Sequence, residues 1–259
     1  MIVKPKIGIF GLTGCSGEQI VILNCEDELL DIAGAVDIRA FHTATSDNDE
    51  EGPLDIAFVE GSVVKPEEVE LLKKIRKRAK LLVAIGTCAT CGGIPAMHNE
   101  LAREELCKAV YGGNGDCFET IPPQPLRTFV KVDYAISGCP MEKEDFLRAI
   151  PMLLHGDLPL LPNYAVCTEC KMRENECLLV TRGQLCLGPL TQAGCNARCP
   201  GYGVACCGCR GPVDEANVAS EVKILQEKGF TLVDVHNALR TFAAPAQALQ
   251  AELVRGKNE

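Results

Sequence analysis

Residues 6–12 read KIGIFGL and run directly into TGCSGE at residues 13–18. The first segment is a short apolar run, and apolar residues then recur at helical spacing from Ile20 to Ile32. This order predicts a strand buried on both faces, a glycine-rich turn and a helix. The turn carries a thiol, Cys15, at the point where the predicted strand ends.

The same unit recurs through the first part of the chain. Apolar segments predict further strands at residues 36–41, 55–59, 81–85 and 134–137, and periodic segments predict helices at residues 66–80, 99–110 and 143–154. Strands that alternate with helices in this way are typical of a doubly wound parallel sheet in an α/β fold. Beyond about residue 212, two amphipathic helices are predicted, at residues 214–228 and 231–255.

Four cysteines follow the predicted strands directly: Cys15, Cys88, Cys91 and Cys139. In a doubly wound sheet the loops after the strands meet along one edge, where ligands bind. The sequence therefore predicts a metal site at this edge. Cys25, Cys107 and Cys117 lie in or beside predicted helices instead, and we interpret them as core thiols.

A second concentration of thiols lies between residues 167 and 209, where nine of the sixteen cysteines occur. Four-iron clusters are held by four thiolates each, and C-x-x-C pairs stand at both ends of this segment. Eight of the nine thiols suffice for two clusters, and Cys207 is left over. Zinc bound by the two C-x-x-C pairs is the alternative, although it leaves several thiols without a role.

Composition narrows the classes of function. The chain has 259 residues and a formal net charge of -9, which argues against a surface for nucleic acid or anionic membrane. No apolar stretch is long enough to predict a transmembrane helix. The first thirty residues show no signal-peptide pattern, so we expect a cytoplasmic protein with few disulfides.

Several motifs together resemble those of the small subunits of nickel-iron hydrogenases. The likeness is strongest to the cytoplasmic group, which includes the sulfhydrogenase delta subunits and the small subunits of F420-non-reducing hydrogenases. It rests on Gly14-Cys15-x-Gly17, Glu60-Gly61-Ser62, Gly86-Thr87-Cys88, Gly138-Cys139-Pro140 and the segment from Cys186 to Pro200. The resemblance implies a flavodoxin-like domain at residues 1–160 and an iron-sulfur domain with C-terminal helices at residues 161–259.

The resemblance also implies three four-iron clusters. The proximal cluster would take Cys15, Cys88 and Cys139 as three of its ligands. The distal cluster would take Cys167, Cys170, Cys177 and Cys186. The medial cluster would take Cys195, Cys199, Cys206 and Cys209, and Cys199 stands where some members have a proline and only three irons.

One position departs from the family pattern. The second proximal cysteine of the family is replaced here by Glu18. Three explanations are open: Cys91 supplies the fourth thiolate, Glu18 ligates through its carboxylate, or the site is incomplete. We prefer Cys91, since thiolate is the usual ligand of iron-sulfur clusters.

The function implied by the resemblance is electron transfer within an oxidoreductase complex. The chain would relay electrons between a hydrogenase-type large subunit and a flavin-containing or iron-sulfur partner, without a catalytic residue of its own. The related 20 kDa-type subunit of respiratory complex I works without nickel, so the same relay in a hydrogenase-derived oxidoreductase is the alternative. A zinc-stabilised scaffold without redox activity is a third, more distant hypothesis.

Overall fold

The computed structural model describes residues 4–112 and 119–255. Five parallel strands form one sheet in the order β2-β1-β3-β4-β5. The strands are β1 (Lys6–Gly11), β2 (Asp37–Phe41), β3 (Leu54–Glu60), β4 (Ala79–Ile85) and β5 (Tyr134–Ile136). This strand order is that of flavodoxin-like folds, so the predicted fold class is confirmed.

Twelve α-helices are formed by the described residues. In the sheet-bearing part they are α1 (Gly17–Leu23), α2 (Glu26–Ala35), α3 (Pro66–Arg78), α4 (Gly86–Cys91), α5 (Arg103–Tyr111) and α6 (Lys143–Leu154). In the rest of the chain they are α7 (Val166–Met172), α8 (Leu178–Thr181), α9 (Arg198–Gly201), α10 (Val218–Glu227), α11 (Leu232–Ala243) and α12 (Gln247–Arg255).

Both faces of the sheet are buried, as the continuous apolar strands require. On one face, side chains of β1, β3 and β4 pack against α1 and α6, with Phe58 in edge contact with Phe146 at 5.6 Å between ring centroids. On the other face, α3 packs on alternate strand residues through Leu72 and Ile75. The sheet is therefore a fixed base for the loops at its carboxyl edge.

Two predicted helices are each divided in the structure. The periodic segment from residue 20 to residue 32 forms α1 and α2, which are separated at Asn24 and Cys25. The predicted helix at residues 231–255 forms α11 and α12, and Pro245 lies between them. Proline lacks the amide hydrogen and clashes with the preceding turn, which favours the end of α11 before Pro245.

The three C-terminal helices pack on the cysteine-rich segment and on the loop region after β4. They share a hydrophobic cluster with Leu187 and Leu190. Helix α11 also contacts α4, and Arg240 on α11 donates a 2.6 Å hydrogen bond to Glu100. None of the described helices has the length and apolar character needed to cross a bilayer.

The three predicted core thiols have different outcomes. Cys25 is fully buried in the cluster between the sheet, α1 and α6, which confirms its interpretation. Cys107 is only half-buried, because α5 buries none of its residues, so that interpretation was wrong. Cys117 lies outside the described residues.

Candidate metal centres

Three cysteines and one carboxyl group gather at the carboxyl edge of the sheet. Cys15 follows β1, Cys88 lies in α4 directly after β4, and Cys139 follows β5. Burial, together with the neighbouring Cys139, Glu18 and Cys15, raises the pKa of the Cys88 thiol to about 12. The loops thus bring together thiols that are far apart in sequence, as parallel topology predicts.

Glu18 is the fourth group at this edge. Its side chain is buried beside Glu60, and burial together with the Glu60 charge raises its pKa to about 7. Glu60 is itself fixed, since it accepts hydrogen bonds from the main-chain and side-chain nitrogens of Gln19, both at 3.0 Å. The carboxyl group of Glu18 therefore occupies a defined position among the thiols.

Cys91 has different surroundings from the other three strand-end thiols. It is buried in the apolar cluster beneath the C-terminal helices, with Leu187 and Leu239. The backbone of Gly211 approaches so closely that a Cβ atom there would lie 2.6 Å from the Cys91 sulfur. The structure thus brings Cys15, Cys88 and Cys139 together with Glu18 and places Cys91 against another part of the chain.

Thr87 ties the loops of this edge to the cysteine-rich segment. Its amide donates to the Gly138 carbonyl at 2.7 Å, and its hydroxyl accepts from the Gly138 amide at 3.1 Å. The same hydroxyl donates to the carbonyl oxygen of Cys209 at 2.5 Å. One buried threonine therefore fixes the loops after β4 and β5 relative to the segment that carries Cys209.

The predicted distal thiols form a second group. Cys167 and Cys170 lie on α7, Cys177 precedes α8, and Cys186 follows in the next loop. Burial raises the pKa of Cys167 to about 12, and Cys186, Cys170 and Cys177 contribute in that order. Thiols with a raised pKa are protonated at neutral pH, so a metal that binds them must displace protons.

The predicted medial thiols line one cavity of about 350 Å³. They are Cys195, Cys199, Cys206 and Cys209, and Cys139, Cys207 and Arg210 also contribute to the wall. A hydrogen bond from Cys209 lowers the pKa of Cys207 to about 6. Cys207, left over in the sequence, thus lies beside the medial group and is exposed.

A single zinc ion and a four-iron cluster require different separations between their four thiolates. Among the described residues, no three His, Cys, Asp or Glu side chains converge closely enough to hold one ion. Four thiolates on one zinc, with Zn–S bonds of about 2.3 Å, would stand about 3.8 Å apart. In a four-iron cluster each thiolate binds a different iron, so the thiolates stand farther apart.

The chain passes close to two of the predicted distal thiols at Gly188. A Cβ atom at Gly188 would lie 3.2 Å from the Cys167 sulfur and 3.5 Å from the Cys186 sulfur. A larger residue here would press on two thiols that must keep their separation. The grouped thiols therefore fit iron-sulfur clusters in donor chemistry.

Two residues at these sites were not predicted from the sequence. Thr87 lies inside a quoted motif, but nothing in its spacing indicates the bond to Cys209. Arg210 follows directly after Cys209 and is 2% exposed, although a charged residue in a polar loop is ordinarily on the surface. The available signal for Arg210 was its position next to Cys209, a predicted ligand.

Comparison with known proteins identifies the family. The model for the 20 Kd subunit of NADH ubiquinone oxidoreductase matches residues 15–153. Sulfhydrogenase 2 subunit delta of Pyrococcus furiosus is 39% identical over 238 residues, covering 92% of this chain and 99% of the relative. The chain belongs to the hydrogenase small-subunit family. It is thus a subunit of an oxidoreductase complex of the hydrogenase type, as its resemblance predicted.

Two further proteins agree with this membership of the hydrogenase small-subunit family. A subunit of the F420-non-reducing hydrogenase of Methanocaldococcus jannaschii is 34% identical over 273 residues, covering 93% of this chain and 95% of the relative. Among solved structures, a chain of an NAD+-reducing [NiFe]-hydrogenase superposes with a TM-score of 0.56 at 31% identity. That match covers 61% of this chain and 96% of the solved chain.

Proposed function

We propose that this chain relays electrons within a nickel-iron hydrogenase-type complex through three four-iron clusters. Electrons would pass between the active site of a large subunit and a flavin-containing or iron-sulfur partner. The observation that carries the proposal is the serial arrangement of the three donor groups. The medial group lies next to a thiol of the proximal group and next to a thiol of the distal group.

Direct contacts join neighbouring groups. Cys139, from the proximal group, also lines the cavity of the medial group. On its other side the medial group meets the distal one, because the amide of Cys206 donates to the Cys186 sulfur at 3.4 Å. Clusters held by such adjacent donors would be close neighbours, as electron transfer along a chain of cofactors requires.

For the proximal cluster we propose Cys15, Cys88, Cys139 and Glu18 as ligands. Glu18 lies where the family has its second cysteine, and it is close enough to Cys88 and Cys139 to raise the pKa of both thiols. Carboxylate is a harder ligand than thiolate, so this exchange would change the reduction potential of the cluster. The sequence alone favours Cys91 as the fourth ligand. The iron content of a Cys91→Ala variant decides between Cys91 and Glu18.

Each cluster, when bound, accepts and releases one electron at a time. The chain contributes burial and hydrogen bonds rather than an acid, base or nucleophile. Cys206 is buried, whereas Cys15 is exposed at the sheet edge. An exposed ligand at the proximal end is consistent with a large subunit that covers this edge in the complex.

Metal analysis of the complete complex tests the proposal. The complex is purified anaerobically with its natural large subunit, and iron, acid-labile sulfide, nickel and zinc are quantified. Three four-iron clusters require about twelve irons per copy of this chain, after the irons of the partners are subtracted. A Cys170→Ala variant is expected to lose about four irons, while Cys25→Ala, a core thiol outside all three groups, is the matched control.

The outcomes separate the hypotheses. Nickel at one per complex supports hydrogenase chemistry, and full iron without nickel favours the hydrogenase-derived oxidoreductase. About eight irons in the wild type would mean that the proximal site is incomplete. Zinc in place of iron would refute the relay, and reduction of a bound flavin under hydrogen would test the proposed partner.

A further inference from the structure

Arg210 is the largest side chain that is almost completely buried, at 2% exposure. Among the described lysines and arginines it is the one that is buried. Its Nε donates to the Ala193 carbonyl at 2.9 Å, and its Nη2 donates to the Asp145 carboxylate at 2.7 Å. Asp145 lies on α6, so this ion pair joins the sheet-bearing part to the cysteine-rich segment.

One nitrogen of the guanidinium is left over. Nη1 is inaccessible to solvent and has no hydrogen-bond partner in the part of the chain that the structure describes. Buried polar groups are almost always hydrogen-bonded, and a buried charged donor without an acceptor is strongly destabilising. An arginine kept at such a position indicates an acceptor that comes from outside the polypeptide.

The cavity beside Arg210 identifies the kind of acceptor. Arg210 lines the same wall as the four thiols assigned to the medial cluster. The sulfurs of a bound iron-sulfur cluster accept hydrogen bonds, and such bonds together with local charge set its reduction potential. A cationic N–H donor stabilises the reduced cluster, which carries one more negative charge than the oxidised one.

We infer that Arg210 donates its free N–H to the medial cluster and raises the reduction potential of that cluster. The inference rests on the proposed function, because it requires the cluster to be present. Arginine stays protonated throughout, so the step is the gain of one electron without a proton. Asp145 sets the size of the effect, since its carboxylate neutralises part of the charge of Arg210.

The buried charges near the other two groups have the opposite sign. Glu18 and Glu60 are buried at the proximal group, and the buried Glu221 lies close enough to Cys167 to affect it electrostatically. Carboxylates disfavour the addition of an electron, whereas Arg210 favours it. The reduction potential of the medial cluster would therefore be higher than it would be without Arg210.

Redox titration of the anaerobic complex, followed by electron paramagnetic resonance, tests the inference. The medial signal is assigned by its loss in a Cys195→Ala variant. In Arg210→Met, the ratio of reduced to oxidised medial cluster at a fixed potential should fall about tenfold, which is about 59 mV for one electron. In Asp145→Asn the ratio should rise, because Arg210 loses its counter-charge.

Two further variants protect the test against folding artefacts. Arg76→Met removes an arginine that is also paired with an aspartate, Asp133, but at the far end of α3, and should leave the medial potential unchanged. If Arg210→Met does not fold, the double variant Arg210→Met with Asp145→Leu removes the pair together. It still lacks the N–H donor, so its medial potential should also fall.

The result that overturns the inference is distinct from failure of the relay. Full iron with an unchanged medial potential in the folded Arg210 variants would refute the role of Arg210 and leave the relay intact. If the medial potential shifts in the same direction in Arg210→Met and Asp145→Asn, the ion pair has only a structural role. A wild type without the medial signal would refute the relay itself and the inference with it.

Discussion

Replacing Gly86 by alanine should displace Glu18 and empty the proximal site. Gly86 has a φ of +80°, a left-handed conformation that costs other residues about 1–2 kcal/mol. A Cβ atom there would lie 2.7 Å from Cγ of Glu18 and closer still to its carboxyl group. Restoring an ordinary contact of 3.4 Å moves the side chain by at least about 0.7 Å. The carboxylate then no longer reaches the position of a ligand.

The assay is iron content with the spectrum of the reduced complex, compared with a glycine variant of equal backbone strain. Gly156 has a φ of +85°, and a Cβ atom there would meet nothing within 4 Å. Gly156→Ala should therefore keep about twelve irons, whereas Gly86→Ala should fall to about eight. If both variants retain full iron and the same proximal signal, Glu18 is not a proximal ligand.

Two other substitutions give clear outcomes. Cys91→Ala should retain all the iron, because the Cys91 sulfur lies against Gly211. Cys88→Ala should lose about four iron atoms. If both variants lose the same amount of iron, Cys91 is the fourth proximal ligand. Glu221→Gln should stabilise the fold at pH 7 by on the order of 1 kcal/mol, measured as a higher unfolding midpoint. Burial raises the pKa of the Glu221 carboxyl, so ionisation of this group above that pKa destabilises the folded state. The gain should vanish below about pH 4, where the carboxyl is protonated folded or unfolded, and the exposed Glu227→Gln on the same helix should show none.

The sheet was the part of the fold that the sequence predicted best. The segment at residues 81–85 is a continuous apolar run, and the structure extends it only to 79–85 as β4. Parallel strands are buried on both faces, so their sequences carry a strong signal. The thiols after the strands followed from the same topology, because the carboxyl ends of parallel strands meet at one edge.

The less predictable features depend on contacts between distant residues. The break of the first helix near Cys25 has no proline or glycine to mark it. The burial of Arg210 requires Asp145 to stand opposite it, 65 positions away in sequence. The surroundings of Cys91 depend on how the C-terminal helices pack, which no local pattern reveals. Charge pairs and helix packing of this kind can be identified only from the three-dimensional structure.

The donor groups differ in how much of the chain must fold before they exist. All four distal thiols lie between residues 167 and 186, whereas the proximal donors follow β1, β4 and β5. Contacts between distant segments form later than local ones, because their loop-closure cost is larger. When the complete chain refolds, the distal group can therefore assemble while the sheet is still incomplete. The proximal site, which we propose as the end that meets the large subunit, would then be completed last, so subunit docking would require a fully folded chain.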